Sequence, residues 1–357
     1  MKRVTYLFLS FIFFSCGETQ SFEDIKTGRP ENRNILVTGA AGYIGSHVCY
    51  ALRQEGWIPI CFDNFSTGYR KSVKYGPLVE GSLLHQEDID NALKTYQPIA
   101  VMHFSAFSQV AESVKDPLKY YENNVSGTIN LLKAMQKEKV FYMVFSSTAA
   151  VYGNPAYSPI DECHPCQPIN PYGETKLAIE KMLESCDKAY GIKSVRLRYF
   201  NAAGAVPDQM IGEAHEPETH LIPLMIQTAQ GKRKSPLRIF GRDYQTRDGT
   251  CIRDYIHVLD LADAHIKALQ YMIKEGKSLS INLGSGEGTS ILEIMSYLRS
   301  LFDAKIPFID AEKRAGDPAL LVSSYVKAKE ILGWEPKLGI EEILKSAWVW
   351  ELEKLRA

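Results

Sequence analysis

Val37-Thr38-Gly39-Ala40-Ala41-Gly42-Tyr43-Ile44-Gly45 is the stretch of this 357-residue chain that decides its fold. It follows a short apolar run and leads into residues that are compatible with a helix. A glycine-rich turn between a strand and a helix lets the backbone approach a pyrophosphate, and the N-terminus of the helix offers free N–H groups and a favourable dipole. In this context the spacing G-x-x-G-x-x-G predicts a dinucleotide site.

Asp63 ends the second predicted strand, at about the distance expected for an acid that binds the adenosine ribose. A carboxylate at this position accepts hydrogen bonds from the ribose hydroxyls and repels a 2′-phosphate. The sequence therefore favours NAD over NADP as the cofactor. The plainer alternative for Asp63 is a turn residue before Asn64.

From Asn34 onward, short apolar strands alternate with amphipathic helices. This alternation predicts an α/β fold of the Rossmann type, in which a doubly wound parallel sheet binds ligands at the carboxyl ends of its strands. The predicted strands are 34–38, 58–63, 78–81, 100–104, 141–146 and 194–200, and the main helices are 43–55, 117–137 and 172–190.

The rhythm changes after Asn201, where prolines and glycines divide the chain into short pieces. We therefore predict an NAD-binding domain over residues 32–200 and a smaller, mixed α/β substrate region over 201–357. Residues 250–275 are expected to return to the first domain, because a strand (254–258) and a helix (261–273) are predicted there. A strand at 279–283 and a closing helix at 340–355 follow.

Residues 1–31 have two interpretations. Lys2-Arg3, an apolar run and Ser15-Cys16-Gly17 are similar to a lipoprotein signal, although the run is too short to span a bilayer. The alternative is an extension from a misplaced start. Because an NAD-requiring enzyme needs a compartment that contains NAD, we expect the cytoplasm, with export or a lipid anchor at Cys16 as the alternative.

Composition excludes several partners. Lys and Arg total 41 against 42 for Asp and Glu, so no net field favours nucleic acid or an anionic membrane. The seven cysteines are scattered, and Cys163-His164-Pro165-Cys166 lacks the second pair that would complete a zinc site. No metal site is predicted.

Pro171-Tyr172-Gly173-Glu174-Thr175-Lys176 opens a predicted helix. Residues four apart share one helix face, so the phenol of Tyr172 and the ammonium of Lys176 can converge on one ligand. An unperturbed tyrosine has a pKa near ~10, and a neighbouring Lys⁺ with the positive nicotinamide ring would favour the phenolate. Thr148 ends an earlier strand and offers a hydroxyl. The pair Y-x-x-x-K alone is common by chance in helices.

Taken together, these motifs resemble the short-chain dehydrogenase/reductase superfamily, in its extended branch that acts on nucleotide sugars. The resemblance covers about residues 34–350. Its further motifs are Asn123-Asn124-Val125-Ser126-Gly127-Thr128, Phe145-Ser146-Ser147-Thr148-Ala149-Ala150-Val151-Tyr152-Gly153, Tyr199-Phe200-Asn201 and Arg253-Asp254-Tyr255-Ile256-His257-Val258.

The resemblance implies an NAD-dependent interconversion of UDP-glucose and UDP-galactose, by transient oxidation at sugar C4 and return of the hydride to the other face. It implies that Tyr172 takes the proton from the 4-hydroxyl, that Lys176 binds the nicotinamide ribose and lowers the tyrosine pKa, and that Thr148 relays or orients the proton. A homodimer is also implied by the family.

The remaining site residues follow from the same resemblance. Arg253 and Arg314 are expected at the diphosphate, and Asp317 at the uridine ribose. The expected cofactor-binding set is Gly39, Gly42, Tyr43, Ile44, Gly45, Asp63, Asn64, Ser82, Leu83, Phe104, Asn123, Tyr172, Lys176 and Phe200. The expected substrate-binding set is Thr148, Asn201, His220, Leu221, Arg253, Arg314, Asp317 and Leu321.

Other substrates and reactions stay open to different degrees. Leu321 falls where the family sets the room around the sugar, and its intermediate size leaves UDP-N-acetylhexosamines as an alternative, with UDP-glucuronate a further one. Ala149 and Ala150 stand where a sister 4,6-dehydratase needs an Asp-Glu pair, which disfavours dehydration. A non-catalytic NAD-binding protein would be expected to lack Tyr172 or Lys176.

Overall fold

The computed structural model describes residues 32–314 and 317–354. The segment 1–31, with its two interpretations and Cys16, lies outside the described residues. From Asn32 onward the chain forms one compact unit. Among the described helices, none is both long and apolar enough to cross a membrane.

Strands and helices alternate as the sequence predicts. The strands are β1 (Asn34–Thr38), β2 (Ile58–Asp63), β3 (Leu78–Glu80), β4 (Ala100–His103), β5 (Tyr142–Thr148), β6 (Lys193–Tyr199), β7 (Asn201–Ala203), β8 (Leu237–Phe240), β9 (Ile252–Arg253), β10 (Tyr255–His257), β11 (Leu279–Leu283), β12 (Thr289–Ser290), β13 (Phe308–Ala311) and β14 (Leu320–Leu321). The α-helices are α1 (Tyr43–Gln54), α2 (Gln86–Tyr96), α3 (Val110–Lys115), α4 (Pro117–Tyr120), α5 (Gly127–Lys137), α6 (Pro171–Tyr190), α7 (Leu221–Ala229), α8 (Val258–Glu275), α9 (Ile291–Phe302), α10 (Val326–Leu332) and α11 (Ile340–Glu353).

A seven-stranded sheet organises the first part of the molecule, in the order β11-β6-β5-β4-β1-β2-β3, with all neighbours parallel. The order reverses beside β1, which creates the crevice that doubly wound sheets use for ligands. Its core includes Leu36, Val101 and Phe145 from the strands and Leu131 and Ile179 from the helices, each almost fully buried. The predicted fold class is confirmed.

The later part of the chain contributes to both regions. Helix α8 packs against α1, β5 and β6, and β11 pairs with β6 at the edge of the large sheet. A second core joins α7, α9 and α11 with β8, through residues such as Ile226, Ile294 and Leu344. The division into domains near residue 200 stays a prediction.

The predicted helix 117–137 is interrupted. A π-helical turn, Tyr121–Ser126, separates α4 from α5. Such turns widen a helix locally and often occur at functional sites. Within this turn the side chain of Asn124 accepts from the Phe107 N–H at 2.9 Å and donates to the Phe107 carbonyl oxygen at 3.1 Å. The same amide also donates to the Thr175 hydroxyl of α6 at 3.2 Å.

Candidate active site

A cavity of about 790 Å³ opens at the carboxyl ends of the parallel strands. The turn between β1 and α1 forms one wall, and the residues that follow β2, β4, β5 and β6 form the floor. Segments from the later part of the chain, within residues 213–223 and 317–321, complete the lining. Its position is the ligand crevice expected for this sheet topology.

The glycine turn has no room for side chains. Gly39 has φ +73°, and a Cβ there would lie 2.7 Å from the backbone nitrogen of Ser105. A Cβ at Gly45 would overlap the carbonyl oxygen of Gly39. Gly42 is the N-cap residue of α1 and makes no side-chain hydrogen bond, and it lines the cavity with Tyr43 and Ile44 at the start of the helix. This arrangement fits a pyrophosphate, because the backbone N–H groups and the helix dipole both favour an anion.

Asp63 lies at the end of β2 in the same cavity. One of its carboxylate oxygens accepts from the backbone N–H of Ala41 at 2.9 Å, and the other accepts from Phe65 at 2.8 Å. Burial raises the pKa of Asp63, while these backbone hydrogen bonds act in the opposite direction. The carboxylate is thus held in one orientation, and each oxygen keeps a lone pair that can accept from a ribose hydroxyl.

Tyr172, Lys176 and Thr148 all line the cavity. Asn170 caps α6 by accepting from the Gly173 N–H at 2.9 Å, which fixes the start of the helix that carries Tyr172 and Lys176. The ammonium of Lys176 is almost fully buried and donates to the carbonyl oxygen of Ser146 at 2.8 Å. The structure therefore brings the three predicted catalytic side chains to one wall.

Burial dominates the protonation of this pair. It raises the pKa of Tyr172 to about 12, and hydrogen bonding with Thr148 offsets only part of that rise. Burial also lowers the pKa of Lys176 to about 7, although the charge of Glu180 opposes this change. The protein alone thus keeps the phenol protonated at neutral pH, and the lowering of the Tyr172 pKa expected from Lys176 is not seen.

Arg253 and Asp317 face the cavity as an ion pair. The guanidinium also donates to the carbonyl oxygens of Ile252 and Pro318, each at 2.8 Å. Asn201 donates to the carbonyl oxygen of Asp254 at 2.9 Å. Asp254 follows Arg253 in the chain and directly precedes strand β10. The remaining predicted residues that line the cavity are Tyr43, Ile44, Asn64, Leu83, Phe104, Asn123, Phe200, His220, Leu221 and Leu321.

Comparison with known proteins identifies this arrangement. Residues 35–284 match the NAD dependent epimerase/dehydratase family. The chain belongs to this family.

Individual members are similar over almost the whole described chain. The UDP-glucose 4-epimerase of Rhizobium leguminosarum bv. trifolii is 49% identical over 316 residues, which are 88% of this chain and 96% of that protein. The UDP-glucose 4-epimerase of Halalkalibacterium halodurans is 50% identical over 320 residues, 89% and 96% respectively. A crystal structure of the Brucella ovis UDP-glucose 4-epimerase in complex with NAD has a TM-score of 0.87 and 45% identity, covering 88% of this chain and 97% of that one.

The comparisons confirm the recognition of a nucleotide-sugar epimerase and of NAD as the cofactor of the family. They do not test the roles of single residues, which stay predictions. Two predicted residues lie apart from the cavity lining. The Ser82 hydroxyl accepts from the Leu84 N–H at 3.2 Å, and the Arg314 guanidinium lies 3.8 Å from the centre of the Phe240 ring.

Glu180 is a buried acidic residue on the helix of Tyr172 and Lys176, and it was not predicted from the sequence. It lies one helical turn beyond Lys176, is 2% exposed, and accepts from the Ser147 hydroxyl at 2.5 Å. Its carboxylate pairs with Arg198 of β6 through N–O distances of 2.5 to 3.2 Å. Extending the four-residue spacing from Tyr172 through Lys176 by one more step would have found it.

A second missed group forms part of the cavity wall. Glu213, His215 and His220 all face the cavity from the segment that leads into α7. His220 was predicted at the substrate, but its acidic and imidazole neighbours were not singled out. The signal was available in the repeated Glu-x-His of Glu213-Ala214-His215 and Glu218-Thr219-His220.

Proposed function

We propose that this enzyme interconverts UDP-glucose and UDP-galactose by oxidising and then reducing C4 of the sugar. The observation that carries the proposal is a single cavity whose walls present both an anion-binding glycine turn and the Tyr172–Lys176–Thr148 group. The identity of about half the residues to UDP-glucose 4-epimerases over nearly their whole length supports it.

NAD supplies a hydride acceptor that also returns the hydride. The glycine turn and the N-terminus of α1 hold its pyrophosphate, and Asp63 accepts from its adenosine ribose. Lys176 donates to the nicotinamide ribose. Its ammonium already donates to one carbonyl oxygen, so two of its three N–H groups are available for the ribose. Phe104, Asn123 and Phe200 complete the walls around the cofactor.

Tyr172 acts as the base that removes the proton from the 4-hydroxyl and later returns it. Because burial raises its pKa to about 12, the phenolate forms only when positive charge is added beside it. Thr148 is hydrogen-bonded to the phenol and relays or orients the proton. Tyr172 therefore gains its basicity in the loaded site.

Epimerisation requires a tight hold on the nucleotide and a loose hold on the hexose, so that the 4-keto sugar can turn over. Arg253 contacts the diphosphate, for which arginine is well suited because it offers several N–H groups. Asp317 accepts from the uridine ribose, and Asn201 donates to the diphosphate. Arg314 stacks its guanidinium on Phe240 and has to leave that ring to reach the diphosphate.

Dehydration is not supported by the cavity. Ala149 and Ala150 line it directly after Thr148, where an elimination of water would need an acid and a base. Methyl groups supply neither proton donor nor acceptor.

The proposal is tested with purified protein, UDP-galactose and an assay for UDP-glucose. We expect conversion by the parent, and a loss of about 10²–10⁴-fold in kcat for Tyr172→Phe, because a positioned general base contributes that much. Tyr190→Phe, at the exposed far end of the same helix, is the matched control and is expected to keep the parent rate. No conversion by NAD-loaded, folded parent would contradict the proposed function.

The preferred sugar is tested by offering UDP-glucose, UDP-N-acetylglucosamine and UDP-glucuronate to the same preparation. Leu321 borders the cavity with a branched side chain of intermediate size, which supports a site that also admits an acetamido group. We propose UDP-glucose as the preferred substrate; a larger kcat/KM for either other sugar would contradict that choice.

We propose further that the enzyme works in the cytoplasm as a homodimer. The reaction needs a compartment that supplies NAD, and cell fractionation tests this: recovery in the membrane or exported fraction would contradict it. The dimer is supported by exposed apolar side chains on α3 and α4, including Val114 (63% exposed) and Leu118 (78% exposed). Light scattering should give twice the chain mass for the parent and a monomer for Leu118→Glu.

A further inference from the structure

Four metal-ligating side chains converge in the segment that precedes α7. Glu213, His215, Glu218 and His220 follow the pattern E-x-H-x-x-E-x-H, and each offers one ligand atom within 4.8 Å of the other three. The nearest pair is His220 Nδ1 and Glu213 Oε1 at 2.7 Å. His215 Nδ1 lies 3.2 Å from the same carboxylate and 4.0 Å from Glu218 Oε2.

The cluster contains buried polar atoms without a hydrogen-bond partner. The side chain of Glu218 is only 6% exposed, yet its Oε2 has none, and His215 Nδ1, although 3.2 Å from the Glu213 carboxylate, makes no hydrogen bond of good geometry. Glu213 is 5% exposed. Leaving such groups unsatisfied in the interior is costly, so their presence together points to a missing ligand.

The charge balance points to a cation. Two carboxylates face two imidazoles, and no lysine or arginine among the described residues forms an ion pair with Glu213 or Glu218. Apart from these two imidazoles, the described residues thus give the two carboxylates no cationic side chain, and the cluster has room for the charge of a cation.

We propose that Glu213, His215, Glu218 and His220 bind one divalent transition metal ion, with Zn²⁺ the best match. Two imidazole nitrogens and two carboxylate oxygens form a ligand set that suits zinc, and a charge of +2 balances the two carboxylates. With zinc–ligand bonds of about 2.0–2.1 Å, tetrahedral ligand atoms lie about 3.3–3.4 Å apart. The separations of the four ligand atoms run from 2.7 Å to at most 4.8 Å, so side-chain shifts bring them to that geometry.

The surroundings make this a structural site. Four protein ligands fill a tetrahedral zinc shell and leave no open position for catalysis. The indole of Trp350 donates to the Glu213 carbonyl oxygen at 2.6 Å, and the Tyr43 ring meets His215 edge-on. The ion therefore cross-links the wall segment beside the glycine turn, where Tyr43 begins α1.

Direct metal uptake tests the proposal independently of the proposed epimerase activity. Full-length protein is freed of metal with a chelator and titrated with Zn²⁺ alone by calorimetry, and with Co²⁺ by visible absorption. We expect one Zn²⁺ per chain and the intense d–d bands of tetrahedral Co²⁺. Because the loss of even an outer-shell partner weakens metal binding by 10–100-fold, His215→Ala and Glu218→Gln should each weaken it by about 100-fold or more.

Two control variants separate this site from adventitious binding. His85→Ala removes a histidine whose side chain is 73% exposed, and Cys163→Ser removes the exposed thiol of the C-x-x-C sequence; both should bind as the parent does. The proposal is overturned if the folded parent takes up no stoichiometric Zn²⁺. It is equally overturned if His215→Ala and Glu218→Gln bind as tightly as the parent, or if Cys163→Ser abolishes uptake.

Discussion

Tyr172, Lys176 and Glu180 lie four residues apart along one face of α6, and each has a different environment. Tyr172 lines the cavity. Lys176 also lines it, and its ammonium donates to the Ser146 carbonyl oxygen, whereas the buried carboxylate of Glu180 pairs with Arg198. Going inward along the helix, a neutral phenol is followed by an amine and then by a carboxylate. The charge of Glu180 opposes the effect of burial, which lowers the pKa of Lys176 to about 7.

The hydroxyl of Thr148 should set the pH at which Tyr172 works. Burial raises the pKa of Tyr172 to about 12, and hydrogen bonding with Thr148 lowers it. In Thr148→Val the pKa therefore rises further, so the rising limb of the kcat–pH profile moves to higher pH. One lost hydrogen bond corresponds to about a tenfold loss at pH 8.

Profiles between pH 6 and 10 measure this effect, and Thr148→Ser is the matched control because it keeps the hydroxyl. A Thr148→Val profile that has the parent's shape and only a lower plateau would show that Thr148 does not tune the phenol.

The buried pair of Glu180 and Arg198 should be important for stability. Glu180→Gln leaves the guanidinium without a counter-charge at 8% side-chain exposure, and breaking a buried pair costs about 3–5 kcal/mol. Urea unfolding measures the free energy of unfolding. Glu184→Gln on the same helix is the control, because Glu184 also pairs with an arginine of β6 but is 54% exposed, and we expect it to cost about 1 kcal/mol or less. Equal losses for the two variants would contradict the account.

At the scale of elements, the start of α1 is the part on which the cofactor site depends most. The helix begins directly after the glycine turn, and the Gly39 carbonyl oxygen of that turn lies against Gly45 in the first turn of α1. Its N-cap residue, Gly42, makes no side-chain hydrogen bond, although free N–H groups at a helix start normally find a partner. We expect an anion bound in the cavity to stabilise this N-terminus.

Gly45→Ala should therefore abolish cofactor retention. The added methyl group overlaps the Gly39 carbonyl oxygen, so the turn must open and the N–H groups of α1 lose their common direction. We expect the amount of NAD released per chain on denaturation to fall by about tenfold or more. Gly191→Ala is the control: it is strained by its φ of +74°, but its Cβ meets no atom within 4 Å and it lies at the far end of α6. Retained NAD in a folded Gly45→Ala protein would contradict the prediction.

Elements of the large sheet were predicted well from sequence because their signals are local. Strands β1 and β2 have the predicted bounds, since buried parallel strands are continuous apolar runs between turns. The pairing of β11 with β6 was not predicted, because strand order depends on contacts between distant segments. The π-helical turn within 117–137 was not predicted for a similar reason, because it accompanies hydrogen bonds of Asn124 with Phe107 and Thr175, which lie in other segments of the chain.

At the scale of the whole molecule, the cavity joins two cores that are separate in sequence. The large sheet supplies the glycine turn, Asp63 and the Tyr172 group, and the later segments supply Arg253, Asp317 and the wall at 213–223. A net charge of −1 leaves the diphosphate to be recognised by local groups and not by a general field. We therefore expect nucleotide binding to depend on the contact between the large sheet and the later segments of the chain.

The candidate site was predictable to the extent that its motifs lie at strand ends or helix starts. Asp63 and Thr148 end strands, Tyr172 and Lys176 open a helix, and the structure brings all four to the cavity. Sequence spacing alone does not say which distant loop completes the cavity. His220 was predicted at the substrate, but Glu213, His215 and Glu218 were not, because their Glu-x-His pattern gains meaning only where the segment meets the cavity. Ser82 and Arg314 were expected at the site and do not line the cavity.

The fate of the hydrogen on C4 tests the central claim most directly. UDP-galactose carrying deuterium at C4 is converted in ordinary water, and the UDP-glucose product is analysed by mass spectrometry and NMR. If the cavity lets the same hydride leave C4 and return to its other face, the product keeps essentially all of its deuterium at C4. Deuterium lost to the solvent would contradict this account, because it would mean that C4 is inverted by proton exchange and not by oxidation and reduction on one bound cofactor.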